Sequence, residues 1–406
     1  MSTSSARRER LPTPPFLQPT RESLADVLAT LQEREQLRRS VAQGARLLGG
    51  GAASSQDGKG PGGWYSVAVG THPDHVHKNR YVDIIAYDRT RVVQPESEEA
   101  ASAASEASAA AYVNASLVQE PPLGIDEKAL PRRWWVAAQA PIASTVHDFL
   151  SLLLSPPASP ACPEGLPLIN LVVQLTPLVE GRRAKCHPYF PDHVGETALV
   201  PSGRGAADRG VWVRLDSKKE KDGARESVLR VGRQGDERGR RVVHLEYLSW
   251  RDHGVPESPA HLLLFVRRVR RLNVQLASSD SADPDPSTST EAPILLHCSA
   301  GVGRTGTFIA ISSLLPLLAL EAREPNKTLL SSSRSASADH PLGPYPADQV
   351  LRASEGARAP AAHDFVGATI DGLRDQRTTM AQTSEQVAWV YECLREAWRA
   401  GLYVEG

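Results

Sequence analysis

The ten residues His297 to Gly306, HCSAGVGRTG, constrain this chain more than any other stretch. They follow a short apolar run, Pro293 to His297, that reads as a strand. They lead into an apolar run from Thr305 that reads as a helix, with Pro316 a kink or a stop. Small residues between a strand and a helix permit a tight loop whose successive N–H groups point inward. At a helix N-terminus such a loop is an anion site. Ser299, Ala300, Gly301, Val302 and Gly303 supply its backbone. Arg304 lies six residues after Cys298, so the loop can curl until the guanidinium faces the thiol. Its fork grips two oxyanion oxygens at once. The amides, the helix dipole and Arg304 together favour thiolate over thiol. His297 is placed to support the loop by hydrogen bonding, and Ser299 or Thr305 to bond the sulfur.

Composition narrows the class. The chain has 406 residues, 41% hydrophobic and 23% charged, an ordinary globular balance. A net charge of -1 argues against a nucleic-acid partner, so any anion site is local. The four cysteines, Cys162, Cys186, Cys298 and Cys393, form no CxxC pair. A disulfide framework or structural zinc is therefore not expected, and a reducing compartment fits a lone nucleophilic thiol; a thiolate–arginine cradle of this kind requires no metal or cofactor. No apolar core follows the basic N-terminal residues, and Phe308 to Leu320 is too short to span a bilayer. A soluble cytoplasmic protein without a membrane anchor, with nuclear access possible, is the expectation.

The domain plan has an N-terminal extension, 1–62, partly disordered but with a charged helical stretch near Glu22 to Leu48, and a catalytic unit over 63–401. Insertions are expected near 95–111, 216–241, 278–291 and 324–362. The second reads as a strand pair with long connections; the others are rich in Ala, Ser and acidic residues. Core segments lie between them. Leu168 to Leu175 and Arg241 to Trp250 read as strands, His261 to Leu276 as a helix. Val387, Val390, Tyr391, Leu394 and Trp398 form the apolar stripe of a last helix. Interspersed strands and helices give an α/β class: a twisted mixed sheet flanked by helices.

A thiolate that attacks an ester held in such an anion site expels a leaving group that needs a proton, delivered from the side opposite the sulfur. Trp250 to Pro256, WRDHGVP, follows a strand and carries Gly254 and Pro256. Asp252 is the candidate acid and Trp250 the candidate hinge anchor.

Taken together these segments resemble the cysteine-based protein tyrosine phosphatase family, in its phosphotyrosine-specific, non-receptor branch. HCSAGVGRTG looks like its signature loop. The resemblance implies Cys298 as nucleophile, Arg304 as phosphate binder and Asp252 as general acid and base, although the family usually has Pro where this chain has Arg251. In RTTMAQTSEQ, Arg377 to Gln386, it makes Gln382 the residue that positions the hydrolytic water, with Gln386 assisting. Thr383 to Gln386 also reads as a capping box, so Gln386 is equally a helix cap. KNRYVD, Lys78 to Asp83, resembles the phosphotyrosine-recognition loop. Tyr81 would stack on the substrate ring and Asp83 would accept hydrogen bonds from the peptide. YVNAS around Asn114 and QAP from Gln139 resemble structural segments. In EGRRAKC, Glu180 could pair with Arg304, Lys185 contact the acid loop, and Cys186 be packed. The implied activity is hydrolysis of phosphotyrosine in signalling proteins through a phosphocysteine, with tyrosine-phosphorylated proteins as partners. A phosphotyrosine-binding pseudophosphatase and a cysteine phosphatase of broader specificity are the alternatives.

Overall fold

The computed structural model describes residues 11–47, 61–93, 112–123, 130–162, 166–203, 209–250, 254–280, 291–323, 342, 345 and 363–403. Expected features at 95–111, 281–290 and most of 324–362, and the residues Arg251, Asp252 and His253, lie outside them.

The strands are β1 (Ala115–Gln119), β2 (Trp134–Ala138), β3 (Leu171–Gln174), β4 (Val179–Glu180), β5 (Arg183–Ala184), β6 (Thr197–Val200), β7 (Val211–Lys221), β8 (Ala224–Arg233), β9 (Arg240–Tyr247) and β10 (Ile294–His297). Eight of them form one sheet in the order β1-β2-β10-β3-β9-β8-β7-β6, while β4 and β5 make a small separate hairpin. The centre, β2, β10, β3 and β9, is parallel; the flanking pairs are antiparallel. The expected mixed sheet is thus present. Alternate residues of each central strand serve two cores. Trp135, Ala137, Val173 and Leu296 face one, and Val136, Ala138, Val172 and Leu295 the other. Burial on both faces explains why these strands read as continuous apolar runs.

Among the described residues the helices of ten or more residues are α1 (Arg21–Leu47), α2 (Pro259–Asp280), α3 (Gly303–Arg323), α4 (Phe365–Arg374) and α5 (Ser384–Ala400). The first core gathers α2, α3, α4 and α5 over one face of the sheet. The apolar stripe of α5 is buried in it as expected. By length and composition α3 alone, among the described residues, is long and apolar enough to cross a membrane, yet 78% of that window is buried inside the fold. Pro316 neither stops nor shortens it: the helix runs on to Arg323. The lost hydrogen bond is offset by burial of Leu314, Leu315, Leu317 and Leu318 around it.

Two segments differ from the sequence expectation. Residues 216–241 are a strand pair, but the connection is two residues, not long. Asp222 and Gly223 both have positive φ, 54° and 68°, and close β7 onto β8 in a tight hairpin within the main sheet. The helix expected near Glu22 to Leu48 is present as α1, but it is integral to the core and not part of a separate extension. Phe16, Leu17, Val27 and Leu31 belong to the same cluster as α3 and α5. Val27, Leu31, Arg34 and Arg38 fall at helical spacing on one buried face. Arg34 and Arg38 reach Asp371 on α4 at 2.9 and 2.6 Å, and Arg38 also reaches Asp375 at 2.7 Å.

Candidate active site

β10 ends at His297, and α3 begins at Gly303, so Cys298 to Val302 form the turn between the centre of the sheet and the longest buried helix. The turn closes because Gly301 adopts φ +71°, and because a Cβ there would lie 2.1 Å from the Ala138 carbonyl of β2. The Gly301 N–H donates to Cys298 Sγ at 3.3 Å, so a backbone amide already points at the sulfur. Ala140 N–H donates to the Ser299 carbonyl at 2.9 Å and ties the loop to the residues after β2.

The expected partner of Arg304 is in place. Its Nη1 donates to Glu180 Oε1 at 2.5 Å and to the Leu175 carbonyl at 3.1 Å. Glu180 is buried and also accepts from Thr176 Oγ1 at 3.3 Å, which locks the carboxylate on the β4–β5 hairpin. Lys185 sits 3.6 Å from the same carboxylate, so two cations share one anion beside the cradle. That pairing fixes the fork of Arg304, which matters more than its small net stabilisation.

Ser299 Oγ does not bond the sulfur. It donates to the Lys185 carbonyl at 2.9 Å and lies 2.8 Å from the Tyr81 hydroxyl. Tyr81 is half-buried, and its ring therefore stands beside the cradle, while Asp83 on the same loop is exposed. That loop is held by Gln139, which accepts from the Arg80 N–H at 2.9 Å and donates to the Lys78 carbonyl at 2.8 Å. Arg80 donates to the Ala140, Pro141 and Ala184 carbonyls. Thr305 Oγ1 is buried and has no hydrogen-bond partner among the described residues.

Beneath the cradle His297 is fully buried. Its Nδ1 bonds the Cys298 carbonyl at 3.1 Å and its Nε2 meets the Tyr189 hydroxyl at 2.9 Å. The same hydroxyl meets His244 Nε2 at 2.7 Å. Burial pushes His297 down to about 4 and His244 to about 3, so both rings are neutral at physiological pH. The Tyr189 hydroxyl also donates to Gln174 Oε1 at 3.0 Å, so one hydroxyl ties both histidines to β3 beneath the cradle. Burial also pushes Cys186 up to about 12, in keeping with a packed, inert thiol.

Arg377 was not assigned a role from sequence. It is fully buried and makes four hydrogen bonds: to the Gly301 and Ala300 carbonyls at 2.8 and 3.0 Å, Asn114 Oδ1 at 2.9 Å and Ser116 Oγ at 3.1 Å. It holds two of the cradle carbonyls, while the Gly301 N–H faces the sulfur. Burial lowers its pKa to about 10, and it stays cationic at neutral pH. The only sequence signal for it is its place at the start of RTTMAQTSEQ, the segment that carries Gln382.

The segment after α4 crosses the front of α3. Gly306 permits this: a Cβ there would lie 2.2 Å from the Ala381 nitrogen. Gln382, next in the chain, is exposed. Gln386 forms the expected capping box with Thr383, accepting the Thr383 N–H at 3.3 Å. Its side chain also abuts Gly303 of the cradle, so it is a cap that touches the site. Trp250 is buried, and its Nε1 donates to the Gly254 carbonyl at 3.3 Å. It thus anchors both ends of the short segment containing Asp252, which itself lies outside the described residues. No group of three or more His, Cys, Asp or Glu suited to a metal occurs among the described residues.

A family model described as protein-tyrosine phosphatase matches residues 75–335. Receptor-type tyrosine-protein phosphatase C of Mus musculus is 34% identical over 251 residues, 62% of this chain and 16% of that protein. The tyrosine-protein phosphatase Lar-like of Caenorhabditis elegans is 28% identical over 326 residues, 80% of this chain and 11% of that protein. Tyrosine-protein phosphatase 1 of the same organism is 29% identical over 326 residues, 80% of this chain and 23% of that protein. The chain thus spans a minor part of the length of these relatives. Receptor-type names among them lend no support to the non-receptor expectation.

Proposed function

The chain belongs to the protein-tyrosine phosphatase family, and we propose that it hydrolyses phosphotyrosine in proteins through a phosphocysteine on Cys298. The observation that carries this reading is the cradle itself. A thiol sits at the floor of a strand–helix turn with an amide aimed at the sulfur, and an arginine beside it is held in a fixed orientation by a buried carboxylate.

In the first step the Cys298 thiolate attacks phosphorus, the S–P bond forms and the P–O bond to the tyrosine ring breaks. Asp252 gives its proton to the departing phenolate. The loop amides from Ser299 to Gly303 and Arg304 hold the three equatorial oxygens throughout. In the second step a water placed by Gln382 attacks phosphorus, Asp252 takes its proton, and the S–P bond breaks to release phosphate and thiolate. Tyr81 walls the entrance and sets its depth, so that a phenyl phosphate reaches the sulfur and a phosphoserine does not. Asp83, exposed on the same loop, holds the substrate backbone.

The substrates proposed are tyrosine-phosphorylated proteins, and the compartment a reducing one such as the cytoplasm. All four cysteines are free, which suits both. The test is initial rates on matched phosphotyrosine and phosphoserine peptides, with wild type and Cys298→Ser. Turnover confined to phosphotyrosine, abolished in the variant while peptide binding persists, is expected. Rates on phosphoserine within tenfold of those on phosphotyrosine, or no turnover of either by the wild type, would overturn it.

A further inference from the structure

The segment from Arg374 to Gln382 is strained and clamped from two sides. Thr379 and Ala381 both occupy the left-handed region, with φ of 53° and 50°. Neither is glycine, and a β-branched residue there is an outlier that must be held by its surroundings. On one side the cradle holds it: the Ala381 N–H donates to the Val302 carbonyl at 3.2 Å. On the other side the holder is α1, which lies wholly outside residues 75–335. Glu35 Oε1 accepts from Thr378 Oγ1 at 2.8 Å and from the Thr379 N–H at 3.1 Å. Arg374 joins the two, donating to the Leu31 carbonyl of α1 at 2.9 Å and to the Met380 and Ala381 carbonyls at 3.0 and 2.9 Å.

Glu35 is buried, and a carboxylate is costly to bury for packing alone. Its nearest cations, Arg38 and Arg39, stand at 3.7 and 3.6 Å, beyond hydrogen-bonding range. The hydrogen bonds it accepts come from Thr378 and from the strained Thr379. The next residue after Ala381 is Gln382, so whatever fixes Thr379 to Ala381 fixes where Gln382 begins.

We propose that Glu35 on α1 is a positioning residue for the second chemical step, holding the Thr378–Ala381 turn so that Gln382 can place the attacking water. This rests on the reading of Gln382 given above. Glu35 bears on the first step only indirectly: the hydrogen bonds it accepts come from this turn and none reaches Cys298, Arg304 or the loop amides, while Arg377 keeps its own four bonds to the cradle and to Asn114 and Ser116. A turn misplaced by about 1 Å costs on the order of 10²-fold in rate. Loss of Glu35 therefore slows phosphocysteine hydrolysis by roughly 10–100-fold and leaves its formation nearly unchanged.

The experiment is rapid mixing of the full chain with p-nitrophenyl phosphate, with acid quench and quantification of phosphoenzyme. Glu35→Ala is expected to show a nitrophenol burst near one equivalent, accumulated phosphocysteine, and a burst rate and vanadate affinity within twofold of wild type. Glu35→Gln keeps the accepting oxygen and is expected to hydrolyse within threefold of wild type. Thr378→Val, which removes one of the two donors to Glu35 and keeps the volume of the side chain, is expected to shift in the same direction as Glu35→Ala and serves if that variant fails to fold. Gln382→Ala is the reference. Phosphoenzyme accumulating in Gln382→Ala but in neither Glu35→Ala nor Thr378→Val overturns the role of Glu35 alone. Accumulation in none of the three overturns the water-placing reading and this proposal with it. Equal loss of burst rate and steady-state turnover in Glu35→Ala marks a general structural effect and also overturns it.

Discussion

Arg377→Met removes the cation that holds the cradle from behind while keeping an unbranched side chain of similar reach. Four hydrogen bonds are lost, two of them from the Gly301 and Ala300 carbonyls. Bonds to a charged donor are worth about 1.5–3 kcal/mol each, a gross loss of about 6–12 kcal/mol. Releasing a fully buried guanidinium from its desolvation returns several kcal/mol, so the net cost is about 3–5 kcal/mol. Domains of this kind are stable by about 5–15 kcal/mol, so the variant folds but is weakened. Activity falls further than stability implies, because the two freed carbonyls let the loop amides rotate off the phosphate, by on the order of 10²-fold. The assay is urea unfolding together with kcat/KM on an aryl phosphate and vanadate binding, at a temperature where the variant stays folded. A stability change below about 1 kcal/mol together with kcat/KM within threefold of wild type would refute the reasoning.

Asp252→Ala is expected to slow hydrolysis of a phosphotyrosine peptide by ~10²–10⁴-fold, and to slow an aryl phosphate with an acidic leaving group much less. An equal loss on both, with the first step rate-limiting, would make Asp252 structural. Gly301→Ala places a methyl 2.1 Å from the Ala138 carbonyl at φ +71°, so kcat/KM should fall by on the order of 10²-fold and Tm should drop; an unchanged kcat/KM would contradict the packing described. His297, held down to about 4 against an ordinary value of 6.5, stays neutral in the fold while the unfolded chain takes up a proton. Its stabilisation is full above pH ~6.5 and is lost as pH falls toward about 4, by up to about 1.4 kcal/mol per pH unit, and His297→Asn should flatten that slope in urea unfolding between pH 7.5 and 5.

The central features of the site were legible because they are local. A strand, a small-residue turn and a helix are consecutive in sequence, and the arginine that serves the thiol is six residues away. The Glu180–Arg304 pair was reachable only through the family resemblance, since the two lie 124 residues apart. What stayed hidden depends on contacts that no local pattern encodes. Arg377 bonds backbone carbonyls and two side chains more than 260 residues upstream. The docking of α1 adds the buried Arg34, Glu35 and Arg38 to Val27 and Leu31, and charged residues on a helix ordinarily read as a solvated face. Asp222-Gly223 was a readable hairpin signal, obscured by the charged residues around it. Pro316 illustrates the reverse: local propensity argued for a break, and burial on all sides of α3 overrode it.

The central claim is a covalent phosphocysteine on Cys298. Wild type and Gln382→Ala, mixed with a phosphotyrosine peptide, quenched in acid within milliseconds and mapped by peptide mass spectrometry, test it most directly. The account predicts one phosphoryl group, on the peptide containing Cys298, more abundant in Gln382→Ala and absent from Cys298→Ser, which also fails to turn over. Turnover by Cys298→Ser within tenfold of wild type, or a phosphoryl group borne by another residue, would contradict it.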